Sequence, residues 1–148
     1  MPTDIRDVKR RIPRSVRLKR VKAQLAVLWS IAVRRRDGGK CIMCGKTEGL
    51  NAHHWLFRKS HSKALAFNVA NGATLCAYPC HLGRIHHDGD GDFALRLADK
   101  MRERLGEGII EKMREIAKTP HEEWTLEMFE ELREYAWEVV EKMHERKL

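Results

Sequence analysis

The chain has 148 residues, a length that favours one compact domain with a core able to support itself without disulfides. Lys and Arg number 29 against 21 Asp and Glu, giving a formal charge of +8 and a pI near 9.6, and this balance points to a polyanionic partner. Mean hydropathy is −0.55 and no apolar run nears the roughly 20 residues of a bilayer-crossing helix, so no membrane-spanning segment is expected.

The charge is unevenly placed. Residues 1–50 hold 14 Lys/Arg against 4 Asp/Glu, residues 51–100 hold 6 against 4, and residues 101–148 hold 9 against 13. Met1 to Pro13 is charged and has neither the apolar stretch nor the small-residue cleavage site of a secretory signal, so a reducing cytoplasm is the expected compartment. Thiols stay reduced there, which makes metal binding the leading reading of closely paired cysteines.

Pro13 marks a break. Beyond it Val16, Val21, Leu25, Leu28, Trp29 and Ala32 recur at helical spacing with Arg and Lys between them, predicting a basic helix over 14–36 that stops at Asp37-Gly38-Gly39. Lys40 to Asp92 differs in kind: it holds all four cysteines and six of the eight histidines, and its glycines and Pro79 break any long periodicity. Asp88-Gly89-Asp90-Gly91-Asp92 opens like a calcium loop, but Phe93 stands where the sixth-position glycine is needed, so it reads as a plain turn. Helical patterns follow at Phe93, Leu95, Leu97 and Met101, and at Ile109, Ile110, Met113 and Ile116, separated by Gly106 and Gly108. Thr119-Pro120-His121-Glu122 has the form of a capping box, and Thr125 is an equal candidate to start the last helix, which runs to about Arg146. Leu126, Phe129, Leu132, Ala136, Val140 and Met143 give that helix a continuous apolar stripe, a packing or dimer surface too acidic in its surroundings to face DNA. The helices are expected to pack against the Cys/His segment and complete one core.

Cys41 and Cys44 are separated by two residues, and Cys76 and Cys80 by three. Two such pairs supply the four thiolates that tetrahedral structural zinc prefers. Zinc closed by four cysteines leaves the histidines without a reason. His53 and His54 are adjacent, and neighbouring side chains of a strand point to opposite faces, so the two are expected to divide their work between a metal and a proton.

Cys-x2-Cys-Gly, then Ala52-His53-His54-Trp55, then Asn71-Gly72-Ala73-Thr74-Leu75-Cys76, then Cys80-His81, resembles the HNH endonucleases over roughly residues 28–90. The flanks, from Trp29-Ser30 through Arg36-Asp37 and at Trp124-Thr125, are similar in layout to phage recombination nucleases of the NinG/Rap type. The resemblance implies an α+β, mostly helical fold: a ββα-metal core in a zinc-bound frame of two cysteine pairs, flanked by a basic N-terminal helix and C-terminal helices. It implies one domain over 1–148, with a basic helical region at 1–36, a nuclease module at 37–92 and a helical region at 93–148. His54 would be the general base, Asn71 would orient the base and its loop, and His53 and His81 would ligate a catalytic divalent ion. His86 is a further candidate ligand. Relatives place that histidine four residues after the second, whereas here Ile85 holds that position and an α-helix brings residues four apart, not five, onto one face. The other reading of His86 and His87 is a polar helix end.

The implied activity is metal-dependent hydrolysis of DNA phosphodiesters, on double-stranded or branched recombination DNA, in a host cytoplasm if the chain is phage-encoded. Arg17, Arg20, Arg34, Arg35, Arg36, Arg58 and Lys59, with Lys63, are the expected phosphate contacts. Imidazole ligands leave the catalytic ion open among Mg2+, Mn2+, Zn2+ and Ni2+. A homodimer through the C-terminal helices would serve paired cuts. The alternative is a zinc-stabilised nucleic-acid-binding protein without catalysis, which leaves His53, His54, Asn71 and His81 unexplained.

Overall fold

The computed structural model describes residues 12–118 and 123–145, and the capping box at 119–122 lies outside them. The predicted basic helix is α1, Arg14–Arg36, which follows Pro13 and ends where Gly38 and Gly39 take φ of 72° and 68°. Such left-handed backbone is cheap only for glycine, and it lets the Gly39 N–H turn back onto the Arg34 carbonyl at 2.9 Å. The first cysteine pair follows as a tight turn closed by the Gly45 N–H on the Cys41 carbonyl, 2.9 Å.

Strand β1, Leu50–His54, pairs antiparallel with β2, Gly72–Cys76, in the register Leu50 opposite Cys76 through His54 opposite Gly72. The intervening segment contains a short helix α2, Lys63–Ala66, and a 3-10 turn at Val69–Asn71. After β2 comes α3, Ala77–His87, a wide π-type helix, then α4, Gly91–Leu105, α5, Ile109–Lys118, and α6, Leu126–Glu145. The molecule is mostly helical with a two-stranded antiparallel sheet. Among the described residues no helix is long and apolar enough to cross a membrane.

Every residue of β2 is buried, because helices cover both of its faces. Ala73 and Leu75 join Phe93, Leu97 and Met101 of α4 and the cysteine turns in one apolar cluster. Leu95, expected on the same stripe, is exposed. Gly72 meets α1 so closely that a Cβ there would strike Val33 and lie 2.8 Å from Trp29 Cζ2.

A second cluster unites Val21 and Leu25 of α1 with Leu126 and Phe129 of α6. The core on the Cys/His segment thus falls into two clusters: α1 and α4 pack on that segment and α5 touches its short helix α2, while α6 lays its apolar stripe mainly on α1. Charge follows the same division. Glu127 pairs with Arg14 and Glu130 with Arg17, so the acidic tail answers the basic helix within the chain. Thr125 caps α6 through its hydroxyl, which accepts the Met128 N–H at 3.2 Å, and Asp90 caps α4 by accepting the Phe93 N–H at 3.0 Å. That cap is the role of the DGDGD turn.

The joint between α1 and β2 is polar. The Asp37 side chain is fully buried, and its Oδ1 accepts from Arg36 Nε at 3.0 Å and Arg104 at 2.9 Å, while Oδ2 accepts from Arg36 at 3.0 Å and from the Thr74 N–H at 2.9 Å. Arg36 also donates to the carbonyls of Val69 and Gly72. Removing one member of a buried charge cluster leaves the others unpaired, at a cost of about 3–5 kcal/mol. Asp37→Ala is accordingly expected to lower stability by about that amount. Urea unfolding followed by circular dichroism checks it; a change below ~1 kcal/mol would show that the joint carries little.

Candidate metal centres and the histidine pair

The four cysteine sulfurs lie within 4.8 Å of one another, and Cys44 Sγ and Cys76 Sγ are 3.6 Å apart. Tetrahedral zinc with bonds of about 2.3 Å sets sulfurs ~3.8 Å apart, so the cluster has the donor set and the size for a structural metal such as zinc. The extra residue of the second pair is absorbed where Tyr78 leaves helical backbone for an extended conformation (φ −136°, ψ 137°), and Cys80 still converges with the other three. Burial raises the Cys41 thiol, yet hydrogen bonds from backbone at Cys76, Cys44 and Met43 bring it down to about 7. Burial pushes the Cys80 thiol up, and its neighbours Cys76 and Cys41 push it further. Four thiols this close oppose each other's ionisation, and a divalent cation removes that opposition.

His53, His81 and His86 form a second group, with one ring nitrogen of each within the same 4.8 Å. His81 Nε2 and His86 Nε2 are 3.0 Å apart. Two imidazoles sharing a cation at about 2.1 Å place their nitrogens ~3.0–3.4 Å apart, so the trio fits a divalent ion. His86 joins despite its spacing of five because α3 is wound wide, with the Asp88 N–H reaching the Gly83 carbonyl five residues back at 2.9 Å. The four-residue rule of the α-helix does not apply in a π-helix. The side-chain amide of Asn51 lies 3.1 Å from His81 Nδ1 and sets that ring's orientation, a partner absent from the sequence-based expectations. Burial, then the neighbouring His81, His86 and His54, pushes His53 down to about 3, which keeps it a neutral donor.

His54 turns to the other side of β1. Its ring stacks on Trp29 with centroids 4.0 Å apart and planes 11° from parallel, and its Nε2 lies 2.8 Å from the Ala66 carbonyl oxygen. A carbonyl only accepts, so Nε2 carries the proton and Nδ1 of the neutral ring keeps its lone pair. Burial holds the His54 pKa below its ordinary value; the Ala66 carbonyl works against this and Lys59 adds to it. Trp29 is itself fixed by its Nε1–H on the Asn68 carbonyl, 2.9 Å.

Asn71 is buried and uses all of its hydrogen-bonding capacity. Its Oδ1 accepts from the N–H groups of Leu56 (3.3 Å) and Phe57 (3.0 Å), and its Nδ2 donates to the carbonyls of Phe57 (2.7 Å) and Leu65 (3.2 Å). It ties the segment after β1 to the segment before β2, and so fixes the Ala66 carbonyl against which His54 is set.

The expected phosphate contacts fall into two groups. Arg17 is paired with Glu130, Arg34 Nε donates to the Ser30 carbonyl, Arg35 donates to the Val140 carbonyl, and Arg36 has four of its five N–H groups bound inside the protein. Arg36 is therefore corrected from a phosphate contact to a structural residue. Arg20, Arg58, Lys59 and Lys63 are exposed. His61 is exposed and stacks on Phe57, and His87 pairs with Asp88 away from the trio.

No protein-family model, curated protein or solved structure matches the chain. Zinc is expected at about one equivalent per chain in the cysteine cluster, because four thiolates close a tetrahedral site. Elemental analysis of Cys76→Ser protein should show that equivalent lost and the thermal midpoint lowered; unchanged zinc content would contradict the assignment.

Proposed function

We propose that the protein is a metal-dependent endonuclease of the HNH type that hydrolyses phosphodiesters of DNA. The observation that supports this best is the division of labour at β1: His53 joins His81 and His86 on one side of the strand, and His54 presents an unprotonated Nδ1 on the other. A zinc-stabilised binding module has no use for that arrangement.

Hydrolysis needs an activated water, relief of negative charge at the phosphorus, and a stabilised leaving oxygen. A divalent ion held by His53, His81 and His86 supplies the second and third when bound. His54 supplies the first: Nδ1 takes a proton from water while the Nε2–H remains on the Ala66 carbonyl. Trp29 holds the plane of the imidazole, and Asn71 acts as a positioning residue through the loop it closes. Of the phosphate contacts expected from sequence, Arg20, Arg58, Lys59 and Lys63 remain exposed, and such contacts weaken steeply with salt. The expected products carry 5′-phosphate and 3′-hydroxyl ends.

His54→Ala is expected to reduce nicking of supercoiled plasmid by about 10²–10⁴-fold, the usual contribution of a general base. Circular dichroism and a gel-shift assay should show fold and DNA binding retained. Cleavage at the parent rate by folded His54→Ala protein would overturn the assignment of the base.

A further inference from the structure

Beside His54 a groove of about 580 Å³ runs between α1 and the segment 59–66. Its walls combine two kinds of surface. Lys22, Lys59 and Lys63 stand along it with exposed side chains, and among the described residues none of the three is in an ion pair. Between them the lining is apolar, from Ala23 and Ala26 on one wall to Ala52, Ala66 and Phe67 beneath. The contrast with the rest of α1 is informative. Arg14, Arg17, Arg35 and Arg36 are taken by acidic side chains or carbonyls of this chain, whereas the groove keeps three lysines outside any ion pair among the described residues, Lys22 lying over the Phe129 ring at 5.2 Å.

We infer that this groove binds an unpaired stretch of nucleic acid, with its phosphates on Lys22, Lys59 and Lys63 and a base against the apolar lining, and delivers the strand to His54. The inference rests on the nuclease reading for its direction of delivery. A duplex keeps its base faces stacked inside and offers a protein mainly phosphates and groove edges, so it would leave the apolar lining facing charged backbone. An unpaired strand exposes base faces, and its binding sites combine cationic tracks with aromatic side chains on which bases stack; in this groove the half-buried Phe67 ring is the aromatic surface offered. The size agrees: roughly 300–1,000 Å³ is the range of pockets for nucleotide-sized ligands, too small for a rigid duplex to enter. An acidic peptide would satisfy the lysines and leave the apolar lining unused.

The test reads binding and not cleavage. Full-length, zinc-loaded protein carrying His53→Ala, which removes one ligand of the trio and leaves the groove lining unchanged, is titrated with a fluorescent twelve-nucleotide oligothymidylate, a duplex of equal length and an oligoglutamate. Oligothymidylate is expected to bind about tenfold more tightly than either competitor at the same salt. The pair Lys22→Glu and Lys63→Glu should lose about tenfold, while Lys112→Glu with Lys142→Glu, an equal change of charge elsewhere, should lose less than about twofold. Equal losses in the two double variants, or duplex or oligoglutamate binding as tightly as oligothymidylate, would overturn the proposal. Crosslinking of a 4-thiothymidine oligonucleotide to the parent protein needs no variant in the groove: crosslinks within Lys22–Ser30 or Lys59–Phe67, or at Phe129, support the groove, and crosslinks confined to α4, α5 or the part of α6 beyond Phe129 refute it. Intact groove binding by a protein that cuts no DNA would count against the nuclease reading alone.

Discussion

The arrangement of the site depends on one buried carboxylate. Asp37 stops α1, and its two oxygens gather Arg36, Arg104 and the Thr74 N–H, so the end of a helix, the middle of β2 and the C-terminal part of α4 meet at one point with their charges answered. A charge there would be costly alone; paired and hydrogen-bonded, it leaves a single geometry in which all partners are satisfied. That geometry lays β2 against α1 so closely that only glycine fits at position 72. Gly72 lies opposite His54 in the sheet, and Trp29, which would crowd a side chain at 72, is the ring on which His54 stacks. The orientation of the candidate base is thus a consequence of a salt-bridged helix end.

Two adjacent histidines acquire different chemistry from the strand that carries them. Alternation sends His53 toward α3 and His54 toward α1. On the first side three imidazoles converge, an arrangement favourable only if they are neutral or share a cation. On the second side a single imidazole is held by one carbonyl and one indole, with its free nitrogen left for a proton. Asn71 completes this arrangement at a distance, since its amide closes the loop that brings the Ala66 carbonyl to His54.

Much of this was legible in the sequence, and what was not has identifiable causes. Pro13 and Asp37-Gly38-Gly39 bound α1 as read, because fixed φ at one end and permissive backbone at the other are local properties. The convergence of the cysteines followed from their paired spacing. His86 did not follow, because counting in steps of four assumes an α-helix and α3 is wound wider. Arg36 ended a run of three arginines and read as a phosphate contact; only the tertiary position of Asp37 and the carbonyls of Val69 and Gly72 turn it inward. The partner of the acidic tail was equally invisible, since pairing between α6 and α1 joins residues more than a hundred positions apart.

The histidine trio and His54 are proposed to cut DNA together. Supercoiled plasmid incubated with purified, zinc-loaded protein, with and without Mg2+ or Mn2+, tests it most directly. Relaxed and then linear DNA is expected only when the divalent ion is present, with 5′-phosphate ends that ligase accepts. A shifted but uncut plasmid under every metal condition would contradict it and leave a binding protein in place of a nuclease.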